Sequence, residues 1–179
     1  MIFVETKLKG AFLIEPELRS DERGFFARRF CQHEFANHGL PTQIAQCNIS
    51  FNLLKGTIRG MHFQRMPKAE SKAVTCTRGR IYDVIVDLRP DSPSYCQWEA
   101  LELSEDNRKI RFIPGGFAHG FQTLTDNAEV HYQMFEFYCP DHAEGVRWND
   151  PVFAIQWPSP PSVISARDSS YPDFRGQMP

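Results

Sequence analysis

Two segments of this chain set a histidine inside a short apolar run bounded by glycine. Gly56-Thr-Ile-Arg59-Gly-Met-His62-Phe-Gln64 mixes β-branched and aromatic residues with breaks at Gly56 and Gly60. It reads as a strand presenting Arg59 and His62 among apolar neighbours. Ile113-Pro-Gly-Gly-Phe-Ala-His119-Gly-Phe121 has the same texture. Imidazole is the side chain whose ordinary pKa lies nearest neutrality, so such a ring can take up a proton and return it at working pH. A lone histidine of this kind reads as a core residue bonded to a neighbour. Two in matched settings point to a pocket.

Metal binding is the competing chemistry, since Gly56 to His62 and Pro114-x-Gly116-x-x-His119 resemble the two halves of a cupin metal motif. A divalent ion needs three or four nitrogen or oxygen ligands. Here Gln64 stands where a second histidine would fall, and Glu70 is out of step. The expectation is therefore an acid–base pocket with no metal and no cofactor.

The elements that must position these residues are short strands. Runs over 43–51, 56–64, 72–77, 80–88, 97–103, 108–113, 119–124 and 129–137 lie between turn residues such as Pro90-Asp-Ser-Pro93 and Ser104-Glu-Asp-Asn107. Earlier strands are expected over Thr6 to Pro16 and Phe25 to Phe30, with a short helix from Gln32 to His38 that stops at Gly39. Arg78-Gly79 between β-branched runs predicts a two-residue hairpin. Many short strands and little helix imply an all-β jelly roll, a sandwich or barrel whose open mouth suits a small polar ligand. Residues 1–179 are read as a single domain. Its Ser- and Pro-rich segment 158–179 packs back on the barrel and forms a brief helix near Ile164 to Ser169.

Composition removes other classes. Basic residues are scattered with no run longer than Arg28-Arg29, and the net charge is −2, so a nucleic-acid face is not indicated. The opening Met-Ile-Phe-Val-Glu-Thr-Lys lacks the layout of a signal peptide, and no apolar run approaches a bilayer span. Five cysteines without a Cys-x-x-Cys spacing suit reduced thiols in a cytoplasmic protein.

A set of motifs then carries a family resemblance. Asp21-x-Arg23-Gly24-x-Phe26, Gln46-x-Asn48-x-Ser50, Arg59-Gly-Met-His62-Phe-Gln64 and Asp83-Val-x-Val-Asp87-Leu-Arg89 occur in order. They are followed by Pro114-x-Gly-Phe-Ala-His119-Gly-Phe121, Tyr132 with Tyr138-x-Pro140, Gly145-Val-Arg-Trp148-Asn-Asp150-Pro151 and Arg167-Asp168-x-x-x-Pro172. Together they resemble the nucleotide-sugar 3,5-epimerases typified by dTDP-4-dehydrorhamnose 3,5-epimerase. The resemblance implies a metal-free cupin, active as a homodimer with N-terminal strand exchange, that epimerises a nucleotide-diphospho-4-keto-6-deoxy sugar at C3, C5 or both. It further implies His62 as the base, Asp168 as the carboxylate that orients it, Tyr132 as the proton donor on the far face and Lys72 beside the developing O4 charge. Arg59 and His119 would contact the diphosphate, and Phe26 and Tyr138 would flank the sugar or base. Gln46 and Asn48 would line the same site, and Arg23 would come across the dimer.

Two positions depart from the pattern. Arg28 and Ala143 stand where the family usually carries glutamate at the nucleotide end. Thymine and uracil offer an N3–H that suits an acceptor, whereas cytosine offers an N3 acceptor that suits a donor such as arginine. A buried donor–acceptor reversal can change selectivity by orders of magnitude. The departure raises the expectation of a CDP- or GDP-linked sugar. The competing functions are a 3,4-ketoisomerase on the same scaffold, a non-catalytic sugar-nucleotide-binding cupin and a metal-dependent cupin oxygenase.

Overall fold

The computed structural model describes residues 1–176. In chain order its strands are β1 (Ile2–Glu5), β2 (Phe12–Glu15), β3 (Arg19–Asp21), β4 (Gly24–Phe26), β5 (Gln46–Asn52), β6 (Thr57–Gln64) and β7 (Lys72–Arg78). They continue as β8 (Arg80–Asp87), β9 (Trp98–Ser104), β10 (Ile110–Ile113), β11 (Phe117–Thr123), β12 (Ala128–Met134), β13 (Ala143–Gly145) and β14 (Val163–Ile164). Two short helices, α1 (Gln32–Asn37) and α2 (Ala166–Ser169), and a 3₁₀ turn at Pro140–His142 complete the elements. One sheet runs β1-β2-β10-β7-β12-β5 and the other β13-β6-β11-β8-β9, with β14 joining β6 in parallel. The ribbon β3–β4 stands apart. This is the expected all-β jelly roll.

Alternation explains which residues meet between the sheets. Val74, Ile81, Ile85, Phe117, Phe121 and Val130 form the inner core. The opposite face of β8 is covered too, because Val84 and Val86 pack with Met61, Phe63, Val146 and Phe153. A strand buried on both faces reads as a near-continuous apolar run, as Ile81 to Leu88 does.

The hairpin expected at Arg78-Gly79 does not form. β7 pairs with β10 and β12, β8 with β9 and β11, so the chain changes sheets at this glycine. Gly79 has φ +72°, and a Cβ there would lie 2.3 Å from Thr125 Oγ1. A glycine that would suit a tight turn suits a crowded corner equally, and burial of both faces of β8 decides between them.

The strand expected over Thr6 to Pro16 begins only at Phe12. Thr6 N–H donates to Ala11 O at 2.8 Å across a turn, and a separate strand precedes it. The strand expected over Phe25 to Phe30 ends at Phe26. The expected helix at 32–38 forms as α1, which buries Phe35 against Phe112 and Phe135. Residues 164–169 give the end of β14 and then α2, capped by the Ser165 hydroxyl accepting from Asp168 N–H. Residues 177–179 of the expected packing segment lie outside the described residues; before them, Val163 and Ile164 pair with Thr57 and Ile58.

Candidate active site

A cavity of about 470 Å³ opens between the sheets. Strands β5, β7 and β12 of one sheet give it Gln46, Asn48, Lys72 and Tyr132, and strands β6 and β11 of the other give it Arg59, His62 and His119. Most of this follows from alternation, as with Gln46, Asn48 and Ser50 on β5. Arg59 and His62 do not, because an odd spacing should send them to opposite faces. In the β6–β11 ladder, His119 lies opposite His62 and Phe121 opposite Arg59, so β6 carries one residue more than β11 between these rungs. That bulge turns both side chains to the cavity. It needs glycine on both strands: Gly60 has φ +135°, and a Cβ there would lie 2.5 Å from Gly120 Cα.

His62 Nε2 lies 2.8 Å from Asp168 Oδ1. The other carboxylate oxygen of Asp168 accepts the Gly60 N–H at 3.1 Å, so α2 is tied to the bulge itself. Burial works against the Asp168 charge, but the hydrogen bond and nearby charge of His62, the Gly60 N–H and Ser165 hold its carboxyl below the usual carboxylate range. An ionised Asp168 accepts the hydrogen bond that Nε2–H of His62 donates, which leaves the second ring nitrogen free to act as a base.

Tyr132 enters from the facing sheet. Its hydroxyl is 3.3 Å from Ser50 Oγ, and burial pushes the phenol up to about 12, so it is a proton donor at neutral pH. Lys72 Nζ donates to Glu70 Oε1 at 2.6 Å, with both side chains nearly out of solvent. Arg59 is aimed by its Nε donating to Asn52 Oδ1 at 2.7 Å. Gln46 Oε1 accepts the Tyr138 N–H at 2.7 Å, which holds that aromatic residue at the cavity.

His119 is the most enclosed of these groups. Its Nε2 lies 2.6 Å from Asp83 Oδ1, and Arg111 donates to Asp83 Oδ2 at 3.2 Å and to Glu99 Oε2 at 3.1 Å. Burial, outweighing the pull of Asp83, drives His119 below the ordinary imidazole value. Burial opposes the Asp83 charge, yet His119 and Arg111 hold that carboxyl below the usual range.

Asp168 reaches the cavity only through His62, and three further expected site residues are not brought to the cavity of their own chain. Arg23 pairs with Asp21 on the exposed ribbon, and Phe26 of the same ribbon is largely in solvent. Arg28 donates to Glu34 Oε1 on α1 at 3.1 Å. A carboxylate within reach on the nearest helix satisfies this guanidinium outside the cavity. Ala143 does line the cavity. Gln64 also lines it, but its amide is committed to the backbone of Lys68, Phe137 and Cys139. Among the described residues, no three His, Cys, Asp or Glu side chains are grouped to hold a metal ion.

From the sequence Glu70 reads only as a metal ligand and Arg167 only as the neighbour of Asp168, and Glu144 carries no signal; all three line the cavity. Asp83 had a legible signal. A carboxylate in register with Ile81 and Ile85 on an inward face must find a buried partner.

A jelly roll holding an imidazole–carboxylate pair and a phenol on facing walls defines a cupin-type acid–base enzyme. The family pattern of dTDP-4-dehydrorhamnose 3,5-epimerase matches residues 5–176. The curated enzyme of that name from Methanothermobacter thermautotrophicus is 42% identical over 176 residues, covering 97% of this chain and 94% of its own. A crystal structure of the Bacillus anthracis enzyme, with TDP and PPi bound, superposes with a TM-score of 0.93 at 43% identity, covering 97% of this chain and 99% of that one. A 3'-monoepimerase from Streptomyces bikiniensis, in complex with dTDP-quinovose, has a TM-score of 0.87 at 29% identity, covering 94% and 85%. The chain belongs to the dTDP-4-dehydrorhamnose 3,5-epimerase family and is an epimerase of the isomerase class.

Proposed function

We propose that the substrate is a nucleotide-diphospho-4-keto-6-deoxy sugar, with a dTDP sugar as the first candidate, and that His62, Asp168, Tyr132 and Lys72 carry the reaction. The observation behind this reading is that His62, backed by Asp168, and Tyr132 reach one cavity from opposite sheets. A carbonyl at C4 acidifies the C–H bonds at C3 and C5. The free nitrogen of His62 takes the proton from one face, leaving an enolate whose oxygen is stabilised by the Lys72 ammonium. Tyr132 gives a proton to the other face, and solvent restores both groups. The Arg59 guanidinium suits the diphosphate, since its planar fork matches phosphate oxygens.

The dTDP carrier is favoured by the relatives that bind TDP and dTDP sugars. Within one chain Arg28 pairs with Glu34 away from the cavity, so of the two departures Ala143 is the one that lines it. Incubation with dTDP-, CDP- and GDP-linked 4-keto-6-deoxyglucose in deuterium oxide, followed by NMR, is the test. Deuterium should enter C3, C5 or both with inversion; no incorporation at either carbon from any of the three would defeat the reading.

The proposed assembly is a homodimer in which the β3–β4 ribbon carries Arg23 and Phe26 into the neighbour's cavity. The ribbon's separation from both sheets and the exposed Ile49, Phe51 and Leu53 on or just after edge strand β5 support it. Arg23→Ala and His62→Ala chains, each inactive alone, should regain roughly a quarter of wild-type activity after subunit exchange, because half the dimers are mixed and each mixed dimer has one complete site. No recovery on exchange would rule out a shared site. The proposed compartment is the cytoplasm, consistent with five free cysteines.

A further inference from the structure

We propose that Arg111, acting through Asp83, fixes His119 as a hydrogen-bond acceptor toward the cavity, so that this ring takes a sugar hydroxyl rather than a diphosphate oxygen. The inference rests on the reading that the cavity binds a nucleotide-diphospho sugar. It differs from the diphosphate contact that the family resemblance implied for His119.

The geometry runs across the whole sandwich. Arg111 belongs to β10 of one sheet, and its guanidinium reaches β8 and β9 of the other, donating to Asp83 and Glu99. Its side chain is 0% exposed, as is that of Asp83. A carboxylate so enclosed stays ionised only beside a cation, and an ionised carboxylate only accepts hydrogen bonds. Asp83 therefore accepts from Nε2–H of His119 at 2.6 Å. In a neutral ring with Nε2 protonated, Nδ1 is an acceptor. Among the described residues Nδ1 has no protein partner, and His119 lines the cavity. An acceptor repels a phosphate oxygen, which also only accepts, and matches a hydroxyl, which donates. The burial that disfavours a charged His119 acts in the same direction. Arg111 touches no part of the cavity itself and is a positioning residue.

The first measurement is ¹⁵N NMR of the imidazoles in the full protein at neutral pH, with His119 assigned from the spectrum of His119→Gln. We expect a neutral ring with the proton on Nε2. In Asp83→Asn the amide can donate to Nε2, and the proton should move to Nδ1. In Arg111→Lys, which keeps the charge but loses the fork that bridges Asp83 and Glu99, the signals should broaden between the two tautomers. A doubly protonated His119 in the wild type, or an Arg111→Lys spectrum identical to it, would overturn the proposal.

The second measurement separates hydroxyl from phosphate. His119→Ala should lower kcat/KM for the sugar nucleotide about tenfold, the size of one lost hydrogen bond, while the Kd for dTDP changes less than about twofold. Weakening of dTDP binding by as much as kcat/KM would assign His119 to the diphosphate and sink the inference. The tautomer and the dTDP affinity are read without turnover. They can therefore fail while deuterium exchange succeeds, or hold while it fails.

Discussion

His62 and His119 face each other across one rung of the β6–β11 ladder, and Nε2 of each ring meets an aspartate. The likeness ends there. The His62 side chain is 43% exposed and its carboxylate arrives from the C-terminal helix, outside the sheets. The His119 side chain is 5% exposed and its carboxylate lies within the sandwich, backed by a buried arginine. An imidazole that cycles a proton needs contact with substrate and solvent, and a partner that tolerates its charge. One that opens only to the cavity, with its other nitrogen on a buried carboxylate, is pinned in a single state. Exposure, not pairing, therefore separates the ring suited to chemistry from the ring suited to recognition.

The largest expected break in this comparison comes from His62→Ala. Loss of a general base costs about 10²–10⁴-fold, so deuterium exchange next to the carbonyl should fall by that much, far beyond the effect of His119→Ala. Equal losses in the two variants would erase the distinction. Tyr132→Phe should cut epimerised product by about 10²-fold yet leave exchange from the His62 face running, seen as deuterium entering with retained configuration. Loss of exchange and inversion together would move Tyr132 to a structural role.

A smaller effect sharpens the contrast through pH. The folded pKa of Asp168 lies below its unfolded value, which is near 3.9. Its contribution to stability is thus complete above that value and lost as pH falls through the folded one. The urea midpoints of wild type and Asp168→Asn should differ by a constant amount above about pH 5, and the gap should close below about pH 4. A gap that widens toward acid would contradict the His62–Asp168 pairing. Smallest of all, Arg28→Ala should change preference among dTDP, CDP and GDP sugars less than about twofold, since Glu34 holds the guanidinium off the cavity of its own chain and an exposed pair of this kind contributes little. A marked shift toward dTDP would bring Arg28 back to the nucleotide.

Elements with a local cause were legible in the sequence. Alternating runs between turns announced the strands, and α1 stopped at the glycine that predicts its end. Pairing was not. Gly79 carries a hairpin signal, yet the chain changes sheets there, because partner choice depends on what covers each face of β8. Burial of both Val84 and Ile85 is a fact about elements distant in sequence, which no local pattern encodes.

The sequence by itself determined the class of fold, the two histidine-bearing strands and the family, because these rest on residue types in a fixed order. Only the tertiary structure decided how Arg59 and His62 come to share a face, that Asp168 ties Gly60 as well as His62 and that Arg111 stands behind Asp83. Each of those depends on a register or a crossing between sheets, where a one-residue bulge reverses the direction of a side chain and a buried charge selects its partner through space.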